Sequence, residues 1–156
     1  EILLKYQSIY NYELQRDDSE LINNDTTIFK NFHSTLSKFK KIEFNEKGLL
    51  RSVLEECSSK GIDSSIIVLG PASIQKYNGM ITKIVDYKGW LNILDNSFNL
   101  HIQDQKISDI ALLYINKSME HSFYISFFDN SDNLVLSIST CTELTIFNKV
   151  LVNQYE

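Results

Sequence analysis

The sequence predicts an α+β fold, with helices packed on a twisted antiparallel sheet of about eight strands. The first observation is a change of period. Apolar residues recur at helical spacing up to residue 61 and at every second position from residue 65 onward. The second observation is that the links between the later segments are short and rich in Asn, Asp, Ser and Gly. Because parallel strands need crossovers of about a dozen residues or more, links this short indicate antiparallel neighbours.

Three early segments have the apolar spacing of amphipathic helices. The first covers residues 2–14 and the second covers residues 27–40. The third covers residues 47–60 and ends at Gly61, because glycine commonly terminates helices. Residues 1–61 are therefore predicted to form a helical part.

Eight later segments alternate between apolar and polar residues, as half-buried strands do. They form the predicted sheet over residues 65–139, and a short helix follows at residues 142–151. We expect the whole chain, residues 1–156, to be one domain. The predicted strands are residues 65–69, 73–77, 80–87, 90–94, 98–103, 107–115, 123–128 and 134–139.

Composition places the chain among globular proteins. Its 156 residues are 43% hydrophobic, which suffices to bury about 70% of the surface that the unfolded chain would expose. Its longest apolar runs are far shorter than the ~20 residues of a membrane-spanning helix. The net charge of −5 argues against nucleic acid as the main partner, because phosphate binding depends on clustered cations.

The start of the chain and its cysteines bear on its compartment. No charged-then-apolar leader stands at the start. Cys57 and Cys141 match no metal-site spacing and indicate lone thiols in a reducing compartment. These features predict a cytoplasmic protein.

The second half of the chain carries motifs that have a known counterpart. It contains V-L-G-P-A-S-I-Q at residues 68–75, W-L-N-I-L-D at residues 90–95 and F-N-L-H-I at residues 98–102. These motifs resemble the C-terminal half of the bacterial hemin-degrading factor family (HemS/ChuX-like proteins), where the corresponding text reads "WLNVLD--FNLHL". The resemblance covers roughly residues 49–133, and W-L-N and F-N-L-H are its most specific parts.

The resemblance implies a cytoplasmic protein that binds heme delivered by an uptake system. Family proteins pass heme on or help to open the macrocycle, and two-repeat members carry two copies of this sheet in one chain. It therefore implies heme as the cofactor, and a homodimer or pairing with a second half of this kind. Ring opening would require an open distal position and a source of electrons, so heme carriage is favoured over catalysis.

The positions that contact heme in the family differ in this chain. The family's axial histidine stands at the start of a helix in a "D-VH-FF--L" setting. Alignment of Phe32 and Leu36 with that setting places Lys30 at the histidine position, and His33 follows one turn later. The arginine of the family's "VRKPT" motif corresponds to Tyr114.

His33 is the predicted iron ligand, with Lys30 and Tyr114 as alternatives. At pH 7 deprotonation costs roughly 4.6 kcal/mol for an unperturbed lysine, about 4 kcal/mol for a tyrosine and only a few tenths for a histidine. Histidine is therefore the side chain that reaches its iron-binding, unprotonated form at the lowest free-energy cost. The competing interpretation of His33 is an ordinary helix residue beside Phe32 and Leu36.

Lysines cluster at the end of the helix predicted over residues 27–40, at Lys38, Lys40 and Lys41. Heme propionates carry two negative charges that these lysines would meet, although an exposed ion pair contributes only about 0.2–1 kcal/mol. The competing interpretation is a solvated helix end whose cations interact favourably with the helix dipole.

His101 and several aromatic residues are predicted to have structural roles. His101 falls on the strand face opposite Leu100 and Ile102, which favours a structural hydrogen bond. Some aromatic side chains would suit the wall of a porphyrin site, but as a set they are expected to be core residues first. They include Trp90, Phe123, Tyr124, Phe127 and Phe128.

Two other functions are compatible with the sequence. A degenerate domain would keep the fold without heme and serve as a protein-interaction or dimerisation module, which the replaced heme contacts favour. The fold would also accommodate an unrelated small-molecule enzyme, because fold does not determine function. However, the sequence has neither a Gly-rich phosphate loop nor a catalytic-triad motif.

Overall fold

The structure is a computed structural model that describes residues 42–43, 48–69, 74–117 and 120–149. Over these residues the fold is α+β, as predicted, because a helix precedes a run of antiparallel strands and a short helix follows them. The first two predicted helices lie outside the described residues.

Helix α1 spans Leu49–Ser59, and residues 145–149 form helix α2 inside the predicted C-terminal helix. A 3-10 turn at Asp104–Lys106 separates the sixth and seventh strands. The nine strands of the described chain are β1 (Ile42–Glu43), β2 (Ser64–Leu69), β3 (Ile74–Gly79), β4 (Ile84–Tyr87), β5 (Trp90–Asp95), β6 (Phe98–Ile102), β7 (Ile107–Lys117), β8 (Glu120–Asp129) and β9 (Leu134–Thr140).

The described strands divide between two antiparallel sheets. Six strands form one sheet in the order β1-β7-β8-β9-β2-β3, and three form a second sheet in the order β4-β5-β6. The sequence predicts eight of these strands but places them in a single sheet. The division follows from long-range pairing, since β2 pairs with β9 and sets Ser64 opposite Thr140, while β4, β5 and β6 pair with one another.

Strand β4 is shorter than the predicted strand at residues 80–87. The carboxylate of Asp95 accepts hydrogen bonds from the backbone N–H of Thr82 at 3.2 Å and of Lys83 at 3.0 Å, and also from the Thr82 hydroxyl. These backbone donors are thus satisfied by a side chain instead of a neighbouring strand. The strand therefore begins only at Ile84.

Helix α1 ends at Gly61, as predicted. The backbone N–H of Ile62 donates to the carbonyl of Cys57 at 2.9 Å, and that of Gly61 donates to Ser58 at 3.2 Å. This pair of bonds is a Schellman motif, which needs a left-handed residue at its centre. Gly61 supplies that conformation with φ +60°.

One hydrophobic core joins α1, α2 and both sheets. Full burial of a large apolar side chain stabilises the fold by about 1.5–3 kcal/mol, so this shared core holds the two sheets together. Helix α1 contributes one apolar face, made of Leu49, Leu50, Val53, Leu54 and Cys57. Contributions from the sheets include Ile66, Leu91, Ile93, Ile110, Ile125, Phe127 and Ile138.

Candidate functional site

A cleft of about 220 Å³ lies between the two sheets. Its apolar walls come from β2, β5, β6 and β9, and its polar residues come from β6, the 3-10 turn with the residue before it, and the end of β8. The cleft therefore forms only where the smaller sheet meets the larger one. The apolar lining residues are Val68, Trp90, Leu100, Ile102, Val135 and Leu136, and the polar ones are His101, Gln103, Lys106 and Asp129.

Lys106 and Asp129 are the charged residues of this lining. The Asp129 carboxylate accepts the backbone N–H groups of Asn133 and Ser131, each at 2.9 Å. These bonds, that of Asn133 first, together with the nearby Lys106 charge, hold the pKa of Asp129 below its usual value of 3.8. The carboxylate of Asp129 is thus hydrogen-bonded within its own turn, whereas the side chain of Lys106 is exposed at the cleft.

The ring of the exposed residue His101 is hydrogen-bonded to the buried side-chain amide of Asn92. His101 lies opposite Asn92 in the β5–β6 pair, and its Nδ1 is hydrogen-bonded to Asn92 Oδ1. Asn92 is only 6% exposed, and its Nδ2 donates to the carbonyls of Val85 at 3.1 Å and Trp90 at 3.0 Å. The predicted structural hydrogen bond of His101 is present. His101 is also one of the residues that line the cleft, which the sequence did not predict.

Trp90 differs from the other aromatic residues that the sequence assigned to the core. It is 40% exposed and lies opposite the exposed Tyr87 in the β4–β5 pair. Trp90 is also one of the residues that line the cleft. The predicted core role is confirmed for Phe123, Tyr124, Phe127 and Phe128, which are all buried.

Tyr114 is not among the residues that line the cleft. It is 6% exposed, and its ring centroid lies 5.0 Å from that of Phe123. Burial raises the pKa of its phenol, which opposes formation of tyrosinate. The other predicted heme contacts lie outside the described residues, and their roles stay predictions. They are Lys30, His33, Lys38, Lys40 and Lys41.

Two further findings concern metals and membranes. Cys57 is a buried free thiol and Cys141 an exposed one. The described segments contain no group of three or more His, Cys, Asp or Glu residues that would hold a metal ion. Within the same segments, no helix is both long enough and apolar enough to cross a bilayer.

A family comparison identifies the domain. Residues 44–150, more than half of the chain, match the family model "Haemin-degrading HemS.ChuX domain". The chain belongs to the HemS/ChuX family. The match confirms the resemblance carried by the W-L-N and F-N-L-H motifs. No curated protein matches this HemS/ChuX sequence.

Solved structures share the fold of this HemS/ChuX chain. ChuS of Escherichia coli, described as a heme degrading enzyme, has a TM-score of 0.61 and 16% identity, over 91% of this chain and 49% of ChuS. Holo-PhuS, a heme-binding protein from Pseudomonas aeruginosa, has a TM-score of 0.60 and 18% identity, over 86% of this chain and 45% of PhuS. The heme-binding protein ChuX has a TM-score of 0.53 and 14% identity, over 92% of this chain and 100% of ChuX. The chain therefore spans about half the length of ChuS and PhuS.

Proposed function

We propose that this HemS/ChuX protein binds heme and carries it in the cytoplasm as part of heme utilisation. One observation supports the proposal beyond family membership, namely that an exposed histidine, His101, and an exposed lysine, Lys106, line the same largely apolar cleft. Imidazole is a common ligand of heme iron, and the apolar residues that line the same cleft suit contact with a porphyrin ring. We further propose that residues 1–156 form one domain of this kind.

The residues at the cleft fit a heme in their chemistry. His101 would supply the iron ligand, Trp90 and Leu100 would contact the ring, and Lys106 would meet a propionate. When bound, heme would bring an iron centre that takes axial ligands. The chain's own residues would bind and orient the ring.

The size of the cleft favours carriage over ring opening. Pockets that enclose a drug-sized ligand have volumes of about 300–1,000 Å³, and this cleft is smaller, at about 220 Å³. A porphyrin would therefore be only partly enclosed by the described residues. Partial enclosure suits a ligand that is handed on, whereas ring opening would also require an open distal position and a source of electrons.

Further heme contacts are proposed from the sequence. We propose that His33, the iron ligand predicted from the sequence, would hold the iron together with His101. Lys30 and Tyr114 stand as its alternatives. Further positive charge for the propionates would come from the end of the helix predicted over residues 27–40, at Lys38, Lys40 and Lys41.

A second function is a HemS-like domain that binds no heme and serves as a protein-interaction or dimerisation module. The small volume of the cleft and the burial of Tyr114 support this alternative. The chain spans about half of ChuS and PhuS, so pairing with a second copy or a second HemS-like half would complete a molecule of their size.

A hemin titration followed at the Soret band tests the proposal. We expect saturable one-to-one binding by the wild-type protein. Replacement His101→Ala should weaken it by more than about tenfold, which corresponds to about 1.4 kcal/mol. His33→Ala tests the iron ligand predicted from the sequence, and His121→Ala, at a histidine on β8, controls for the loss of a histidine as such. Weak, unsaturable spectra from the wild-type protein would reject heme carriage in favour of the interaction module.

A further inference from the structure

The orientation of the Asn92 side chain is determined by two backbone carbonyls. Its Nδ2 donates to Val85 O on the neighbouring strand at 3.1 Å and to Trp90 O on its own strand at 3.0 Å. A carbonyl oxygen only accepts hydrogen bonds, so the amide nitrogen must be the atom that faces both. The amide oxygen is consequently the atom that faces His101.

This arrangement determines the protonation pattern of the His101 ring. An amide oxygen only accepts, so the bond between Asn92 Oδ1 and His101 Nδ1 requires a proton on Nδ1. In a neutral imidazole the other nitrogen then holds the lone pair. For His101 that atom is Nε2, and a metal binds an imidazole through its lone pair.

We propose that Asn92 is a positioning residue that keeps neutral His101 in the Nδ1–H tautomer and presents the Nε2 lone pair as the ligand for heme iron. The iron-binding half of this inference rests on the proposed function, whereas the tautomer does not. Groups that orient a metal-binding histidine in this way typically change metal affinity by about 10–100-fold.

Free histidine favours the opposite tautomer, with the proton on Nε2. A ring without Asn92 would therefore have to change tautomer and lose rotational freedom when it binds iron. In the wild-type protein both changes are already made, because Asn92 is buried and held at three points.

Nitrogen-15 NMR of the heme-free protein tests the tautomer directly. We expect neutral His101 to show a protonated Nδ1 and an unprotonated Nε2. Asn92→Leu should move the ring toward the Nε2–H form, because it removes the oxygen that accepts the Nδ1 proton. The resonances of His33 and His121 serve as internal references. A wild-type His101 with its proton on Nε2 would overturn the inference without the need for any variant.

Hemin binding tests the consequence. We expect Asn92→Leu to weaken binding by about 10–100-fold. The same variant should raise the iron reduction potential, because an imidazole that has lost the hydrogen bond at its other nitrogen is a weaker electron donor. Asn99→Leu, an exposed asparagine on the same sheet, is the matched control.

The two proposals fail in different ways. If His101 carries its proton on Nδ1 but the wild-type protein does not bind hemin, heme carriage is wrong and the positioning of His101 by Asn92 stands. If hemin binds through His101 and Asn92→Leu alters neither affinity nor potential, the role of Asn92 is refuted while heme carriage stands.

Discussion

The carboxylate of Glu56 on α1 binds the first turn of α2 through Thr145. It accepts the Thr145 backbone N–H at 3.0 and 3.1 Å and the Thr145 hydroxyl at 2.9 Å, across 89 residues of sequence. The first N–H groups of a helix have no partner within the helix. Glu56 therefore supplies the cap that α2 needs, and Lys60 holds the same carboxylate at 2.7 Å.

Glu56→Gln should destabilise the protein at neutral pH. Partial burial raises the pKa of Glu56, but hydrogen bonds from Lys60 and Thr145 outweigh it and hold the pKa below its usual value of 4.5. The charged carboxylate thus stabilises the fold above that value, and the contribution is lost as the pH falls through the lowered pKa. We expect a loss of about 1–2 kcal/mol at pH 7 in urea unfolding, and a progressively smaller loss as the pH is lowered below 4.5. Glu55→Gln, at an exposed neighbour, is the control, and a loss that does not change with pH would contradict the assignment.

Ser126 and Ser137 share a buried hydrogen bond of 2.8 Å between their hydroxyl oxygens on β8 and β9. Ser126→Ala removes one partner and leaves the other hydroxyl buried, which costs about 1–3 kcal/mol. The double variant removes both groups, so it should cost clearly less than the sum of the single variants. Chemical unfolding of all four proteins gives the coupling energy. Strictly additive losses would show that the two hydroxyls do not depend on one another.

Lys106→Gln should weaken hemin binding only modestly. An exposed ion pair with a propionate contributes about 0.2–1 kcal/mol, which corresponds to at most about fivefold in affinity. The difference should shrink as salt is added, because salt screens exposed charges. Lys83→Gln, an exposed lysine that does not line the cleft, is the control. An equal effect at both lysines would indicate non-specific attraction of hemin instead of a contact at the cleft.

Tyr114→Phe should leave the hemin spectrum at pH 7 unchanged. Burial raises the pKa of this phenol above its usual value of 10, so the neutral form persists through the physiological range. Any contribution of tyrosinate to the iron would therefore appear only in alkaline solution. Absorbance spectra recorded from pH 7 to about pH 11 provide the measurement, with Tyr87→Phe at an exposed position as the control. Loss of a spectral band in Tyr114→Phe at pH 7 would restore tyrosine ligation as the explanation.

Local pattern was sufficient to predict the strands and the end of α1. Period-two alternation marks β5 and β6, and Gly61 marks the helix end, because each depends on neighbours in sequence. The division into two sheets depends instead on which distant strands pair, as β2 does with β9. No local period encodes that choice.

The candidate site could have been predicted in part. The β5–β6 hairpin closes at Asp95 and Phe98, and counting back from that turn sets Asn92 opposite His101. The cleft itself could not be read from sequence, because Leu100 on β6 and Val135 on β9 are brought together by the packing of separate sheets. Trp90 fits no simple rule either, since an isolated tryptophan in a strand is usually buried.

The pairing of β2 with β9 has a consequence for synthesis of the protein. The central position of β2 in the six-stranded sheet is completed only when residues 137–140 meet residues 64–67. During synthesis on the ribosome, the backbone N–H and C=O groups on one side of β2 therefore stay unpaired with β9 until β9 has left the exit tunnel. During that interval the nascent chain has an open, apolar strand edge, which is the kind of surface that chaperones protect from aggregation.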